Sequence, residues 1–165
     1  MKKRGAPRKQ PSIIKLLEFI SQSNGYIVTA RKKDKTKRSS DKKFFPDLIA
    51  KPYKGQAQTV FEVEKTVTNN TVYKSIASLL DTLTVDASHA YLVVPNKERL
   101  FAEKCVKHMK SIIAFFGKTG KGANPKVKLD VISFEEVNAH HNKVEKWITN
   151  GRIGQPPKCH FLKRI

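Results

Sequence analysis

A short apolar run, Ala90 to Pro95 (AYLVVP), constrains the fold of this chain more than any other stretch. A nearly uninterrupted apolar run of this length is typical of a strand that is buried on both faces. Apolar residues recur at helical spacing before it, over residues 69–84, and after it, over residues 97–116. Strands that alternate with helices require parallel or mixed pairing. We therefore expect a central sheet with helices packed against it.

The other segments extend this alternation in both directions. Ser12 is a plausible N-cap of a first helix that ends at Asn24-Gly25. Three strands precede the helix at 69–84, and a further strand and helix follow residue 116. The predicted strands are Tyr26–Ala30, two runs within Phe44–Thr66 joined by a turn at 52–55, Ala90–Pro95 and Lys126–Phe134, with a final helix over Phe134–Ile148. The predicted fold class is α/β: an opening antiparallel meander and later crossovers, giving a mixed central sheet flanked by helices.

The length of 165 residues predicts one domain with a hydrophobic core of its own. We expect it over residues 12–150, between a basic flexible arm at 1–11 and a basic C-terminal tail at 151–165. Two isolated cysteines have no zinc or disulfide spacing, and Cys105 falls on a helical core position. No secretory signal and no apolar run near 18 residues can be found. The predicted location is therefore cytoplasmic and nucleoid-associated.

The charge balance identifies the kind of partner. There are 33 Lys and Arg residues against 14 Asp and Glu residues, a formal charge of +19. Such an excess disfavours a compact state unless a polyanion or salt screens it, and nucleic acid is the most general polyanion. No basic amphipathic helix with a Trp-rich apolar face indicates a membrane surface. DNA, duplex or branched, is the expected partner, although a merely soluble basic surface would have the same composition.

The positive charge is concentrated in three segments that we expect to contact phosphates. The N-terminal arm is one, the segment 31–43 with eight basic residues in thirteen is the second, and the Gly-Lys-rich segment 117–122 is the third. We interpret 31–43 as a mobile loop, because so highly charged a segment cannot be a core element. We interpret 117–122 as a flexible basic loop, because it lacks the spacing of a phosphate-binding Walker loop. The predicted nucleic-acid-binding residues are Lys2, Lys3, Arg4, Arg8, Lys9, Arg31, Lys32, Lys33, Lys35, Lys37, Arg38, Lys118 and Lys121. The side chains of the adjacent histidines His140 and His141 diverge by about 100° on a helix, so the two cannot readily bind one metal ion, and both are expected on the surface.

Three acids stand out against this basic background. Asp47 begins the second predicted strand, and Glu62 and Glu64 lie on the third. Side chains alternate across a strand, so Glu62 and Glu64 should share one face while Phe61 and Val63 occupy the other. Pairing of the two strands would bring Asp47 beside them. Unpaired carboxylates on a covered face are costly, so a bound cation with oxygen ligands, Mg²⁺ or Mn²⁺, is expected there.

The sequence Pro46-Asp47, followed by Glu62-x-Glu64 on the next strand, resembles the PD-(D/E)xK nuclease superfamily. The resemblance covers residues 12–95, and it implies a restriction-endonuclease-like core of helix, three strands, helix and strand. It also implies a metal-dependent deoxyribonuclease in which Asp47 and Glu62 hold the cation and Glu64 is a further ligand or orients water. The usual Lys is replaced here by Glu64, so the chain looks like the Glu-x-Glu variant of that family.

The same resemblance suggests further catalytic candidates. Two residues are candidates for the role of the missing lysine: Lys65, one residue after the position where the motif has its lysine, and Lys74, on the following helix. Glu18 occupies the first predicted helix, where many members of the superfamily have an accessory acid. A homodimer would supply two active sites for a two-strand cut. The alternative function is a non-catalytic nucleic-acid-binding protein, either a degenerate nuclease fold or an RNA-associated basic protein.

Overall fold

The computed structural model describes residues 12–30, 46–54, 58–83, 87–119 and 128–162. Within these residues the elements follow one another in the predicted order. The predicted turn at 52–55 falls partly outside the described residues, and residues 31–45, 84–86 and 120–127 fall wholly outside them. The helices are α1 (Ile13–Ser23), α2 (Asn69–Leu83), α3 (Arg99–Thr119) and α4 (Phe134–Thr149), and the strands are β1 (Tyr26–Ala30), β2 (Leu48–Pro52), β3 (Gln58–Val63), β4 (Ala87–Val94) and β5 (Lys128–Ser133).

The five strands form one mixed sheet in which spatial order equals chain order, β1-β2-β3-β4-β5. β1, β2 and β3 pair antiparallel, as an opening meander would. β4 is parallel to β3, and β5 is parallel to β4, with α2 and α3 as the crossovers. The expectation of a mixed sheet flanked by helices is confirmed.

Helices cover both faces of the sheet. One core cluster joins Leu17 of α1 and Val137 of α4 to the face that carries Leu48 and Phe61. The other joins α2 and α3 to the opposite face, which includes Val60. β4 lies between these two helical layers, and its residues Ala90 to Val94 are all buried, as the apolar run predicts. Alternate residues of β3 therefore face different helical layers.

One helix end in this comparison agrees with the sequence prediction and two differ. The Ser12 hydroxyl accepts from the backbone N–H at position 15, as expected of an N-cap. At α2 the sequence Asn69-Asn70-Thr71 predicts a cap, but the cap is Thr68, because the hydroxyls of Thr68 and Thr71 accept reciprocally from each other's backbone N–H. α3 continues to Thr119, so Gly117, Lys118 and Thr119 belong to its last turn and not to a loop.

The segment after α4 packs into the domain. Cys159, Phe161 and Leu162 are buried in the core cluster of the α1 and α4 face. Burial of these apolar side chains stabilises the fold, so the predicted basic tail contains a structural part. Phe161 meets the ring of His140 edge-on at 5.5 Å. The expectation of a surface His140 is wrong, since α4 turns this residue inward, where it is 5% exposed.

No helix in the described part of the chain is long and apolar enough to cross a membrane.

Candidate functional site

Asp47 and Glu62 face each other at the end of the β2–β3 pair. The register joins Leu48 to Phe61, so the next position outward sets Asp47 opposite Glu62. The backbone N–H of Asp47 donates to Oε2 of Glu62 at 2.9 Å. The backbone N–H of Val63 donates to Oδ2 of Asp47 at 2.9 Å. Each carboxylate therefore accepts from the neighbouring strand's backbone, and this fixes the positions of both groups.

Glu64 is anchored at its backbone and at its side chain. Its N–H donates to the carbonyl oxygen of Val93 at 2.9 Å, which continues the contact with β4 one residue beyond β3. Its Oε1 accepts from the hydroxyl of Ser75 on α2. Glu62 alternates with Phe61 and so shares the sheet face of Val60, which packs against α2 and α3. The sequence prediction that the two glutamates share one face is consistent with this placement.

The electrostatics of Glu64 follow from these surroundings. Burial raises the pKa of the Glu64 carboxyl, the hydrogen bond from Ser75 opposes that shift, and the negative charge of Asp47 raises it further. Burial disfavours the charged form of a carboxyl, and so does a like charge nearby. The two acids are thus close enough to interact. A cation beside them would relieve both unfavourable effects.

The donor set suits a hard cation. All three side chains supply carboxylate oxygens, which Mg²⁺ and Mn²⁺ prefer. Within the ranges that the structure describes, no group of three or more His, Cys, Asp or Glu side chains is already arranged to hold a metal ion. Mg²⁺ usually takes only one or two protein carboxylates and completes its shell with water and substrate phosphates. Asp47, with Glu62 or Glu64, fits that smaller requirement.

The other predicted catalytic residues lie around this group in different ways. Lys65 follows the end of β3, in a bend, with an exposed side chain. Lys74 is exposed on α2 and precedes Ser75, from which it diverges by about 100° around the helix. Glu18 is partly exposed on α1, which packs on the opposite face of the sheet from α2. The structure holds Asp47 and Glu62 side by side, with Glu64 two residues further along the chain, and it leaves Glu18 on another layer.

Most of the predicted phosphate-contacting residues belong to segments outside the described residues. The N-terminal arm, the basic segment at 31–43 and Lys121 lie outside the described residues. Lys118 is the exception, with its backbone in the last turn of α3. Two described lysines are neighbours of candidate-site residues in the sequence: Lys65 follows Glu64, and Lys74 precedes Ser75.

Ser75 is the site residue that the sequence interpretation missed. It lies three residues after Val72 and one before Ile76, within the apolar stripe by which α2 packs on the sheet. It is 2% exposed. A hydroxyl at a core position needs a hydrogen-bond partner, so a serine interrupting such a stripe was a readable signal. Which partner it meets depends on the packing of α2 against β3.

A second polar cluster joins the starts of α3 and α4. Arg99 donates to Glu136 and to Glu103, each at 2.8 Å. Burial works against the ionised form of Glu136, but hydrogen bonds from Ser133 and the charge of Arg99 outweigh it and lower the pKa of Glu136. Ser133 and Glu136 form a capping box at the start of α4. These groups satisfy one another, which indicates a structural role.

A comparison of the chain with models of protein families, with curated proteins and with solved structures finds no match in any of the three. The resemblance to the PD-(D/E)xK nucleases therefore stays a prediction. It rests on the residues of the motif, Asp47 and Glu62-x-Glu64, and on the order of the elements around them.

Proposed function

We propose that this protein is a Mg²⁺- or Mn²⁺-dependent DNA endonuclease with a restriction-endonuclease-like core. The observation that carries the proposal is the pairing of Asp47 with Glu62 at one end of the paired strands β2 and β3, with Glu64 two residues beyond Glu62. The run from α1 to β4 has the helix, three strands, helix and strand of that core, and α3, β5 and α4 would be additions to it. The formal charge of +19 supports a polyanionic substrate.

In this proposal Asp47 and Glu62 hold the cation. The backbone N–H groups that bind one oxygen of each carboxylate keep the pair oriented before substrate arrives. Glu64 is a further ligand or orients the attacking water. A bound divalent cation would supply polarisation of the scissile phosphodiester and a lowered pKa of the water.

Two residues are candidates to replace the lysine that is usual at the position of Glu64. Lys65 is exposed just past β3, and Lys74 is exposed on α2, the helix that also carries Ser75. Either ammonium could stabilise the charge that develops on the phosphate if the substrate lies between β3 and α2. DNA, duplex or branched, would be held by the basic segments at 1–11, 31–43 and 117–122. Glu18 stays an accessory candidate, and nucleoid association and a homodimer belong to the same proposal.

The direct experiment is a cleavage assay on supercoiled, linear and branched DNA, with Mg²⁺ or Mn²⁺ and with EDTA in their place. Wild type is expected to cut only with the metal. Asp47→Ala and Glu64→Ala should each lose about 100-fold or more, because metal catalysis supplies several kcal/mol. Asp130→Ala removes an exposed acid from β5 and is the matched control, expected to cut like wild type. All variants should bind DNA in EDTA with unchanged affinity.

A second candidate function is non-catalytic nucleic-acid binding on a degenerate nuclease fold. The reciprocal contacts of Asp47 and Glu62 favour it, because each carboxylate already stabilises the hairpin through a backbone N–H. Glu64 in the usual place of a lysine favours it as well. Tight, salt-sensitive DNA binding with no cleavage under any metal would select this candidate and reject the nuclease. Salt sensitivity alone does not discriminate, since both functions use the same cations.

A further inference from the structure

The buried face of α2 carries a hydroxyl whose described contact is with the candidate site. Val72, Ile76 and Leu79 of this face are fully buried against the sheet, and Ser75 lies among them. An alanine would fill this position with better helix propensity and no polar group to satisfy. The hydroxyl instead donates to Oε1 of Glu64. The hydrogen bond links α2 to the residue that follows β3.

Glu64 needs such a link because the strand no longer orients it. β3 ends at Val63, and beyond that residue the described backbone bond of Glu64 is its N–H to Val93. A glutamate has three side-chain torsions, so a backbone anchor by itself leaves its carboxylate several rotamers. The hydrogen bond to Ser75 removes most of that freedom. It holds the carboxylate within electrostatic reach of Asp47.

We propose that Ser75 is a positioning residue, which holds the Glu64 carboxylate beside Asp47 and so completes the cation site. The inference rests on the proposed function and adds to it a residue that does not touch the cation. Partners that orient a metal's ligands typically contribute 10- to 100-fold to metal affinity or activity. In this chain the contribution comes from a helix that is separate from the strands bearing the acids.

The test compares four proteins: wild type, Ser75→Ala, Ser75→Thr and Ser78→Ala. Ser75→Thr keeps the hydroxyl, and Ser78→Ala removes a different buried hydroxyl from the same helix. Mn²⁺ affinity is measured by electron paramagnetic resonance without DNA, and kcat and KM are measured with DNA. We expect Ser75→Ala to weaken Mn²⁺ binding about 10-fold or more and to lower kcat with little change in KM. Ser75→Thr should recover most of the loss, and Ser78→Ala should match wild type.

A carboxyl-detected NMR spectrum provides a readout that needs neither metal nor activity. The Glu64 side-chain carbon should shift in Ser75→Ala and stay near its wild-type position in Ser78→Ala. If Ser75→Ala does not fold, Ser75→Cys, which has nearly the same shape and a weaker donor, should give an intermediate loss of Mn²⁺ affinity.

The outcomes separate the two proposals. Wild type that binds no Mn²⁺ and cuts no DNA overturns the proposed nuclease, and the positioning role with it. Wild type that binds and cuts, with Ser75→Ala equal to it in affinity, kcat and the Glu64 carbon shift, overturns the positioning role alone. An equal loss in Ser78→Ala also overturns it, because the effect would then come from α2 packing.

Discussion

Asp47 donates its backbone N–H to the carboxylate of Glu62 at 2.9 Å, across the first position beyond the paired part of β2 and β3. Its own carboxylate accepts from the residue after Glu62, again at 2.9 Å. Two acids that would repel each other in isolation are thus held side by side by backbone donors. The arrangement extends the hairpin and presents carboxylate oxygens at its end. The structural role of these two side chains and their proposed role in holding a cation would therefore coincide.

Asp47→Ala should destabilise the fold by about 1–3 kcal/mol, the usual cost of leaving a partly buried donor without its partner. The donor in question is the backbone N–H of Val63. Asp47→Asn keeps an acceptor oxygen and should lose much less, although it should abolish metal-dependent cleavage. Urea unfolding of the three proteins in EDTA measures the difference. Equal stability of Asp47→Ala and wild type would mean that the hydrogen bond adds nothing.

Glu64→Gln should raise the melting temperature at neutral pH in the absence of metal. The pKa of Glu64 is raised in the fold by burial and by Asp47, so folding favours the protonated form. Its stability contribution is fully present below the ordinary glutamate pKa of about 4.5 and is lost as pH rises through the raised folded value. Gln mimics the protonated form, so its advantage over wild type should fade as pH falls toward 4.

Melting curves in EDTA from pH 4 to 8 measure this effect. Glu145→Gln, on an exposed position of α4, is the control for removing one acid from a basic protein. It should show no advantage at pH 7. A Glu64→Gln advantage that grows on acidification would contradict the sign of the shift.

His140 should make the fold sensitive to mild acid. Burial lowers the pKa of this imidazole, and the charges of His160 and Lys143 lower it further. Its Nε2 has no hydrogen-bond partner among the described residues, so a proton there would be poorly accommodated. The stability of the neutral form is present above the ordinary pKa of 6.5 and is lost as pH falls through the lowered folded pKa.

Replacing His140 by Leu should therefore remove part of the decline in melting temperature between pH 7.5 and 5. His141→Gln changes the adjacent, partly exposed histidine and serves as the control. The same pH dependence in His140→Leu as in wild type would assign the decline to other groups.

Phe161→Ala should cost about 3–5 kcal/mol, as expected for a large side chain removed from a core. Phe161 is 1% exposed and meets Phe61 of β3 edge-on at 6.2 Å. The measurement is urea unfolding, with Phe161→Leu as a milder change at the same position. A cost below about 1 kcal/mol would show that the C-terminal segment is dispensable for the core.

Much of the architecture follows from local sequence patterns. The apolar run at Ala90–Val94 predicts a strand with both faces covered, and β4 is such a strand. The cap at Ser12 and the Asn24-Gly25 stop predict the ends of α1, and α1 has those ends. Signals of this kind are readable because they involve residues within one helix turn or one strand.

Features that depend on contacts between distant segments could not be predicted in the same way. Nothing in the sequence around His140 distinguishes it from a surface histidine, and its burial depends on contact with Phe161, some twenty residues later in the chain. The cap of α2 is a local feature that was ambiguous for another reason: Thr68 and the Asn69-Asn70 pair have equally good capping signals, and the structure shows that the Thr68 hydroxyl accepts from the N–H of Thr71.

The sequence by itself determined the alternation of strands and helices. It also identified Asp47, Glu62 and Glu64 as candidate site residues, since strand periodicity assigns side chains to faces of the sheet. Only the tertiary structure decided how these acids are held. Antiparallel register sets Asp47 opposite Glu62, and the packing of α2 on β3 brings Ser75 to Glu64. Register and helix packing arise from the joint burial of apolar faces that are far apart in the chain, which no local pattern encodes.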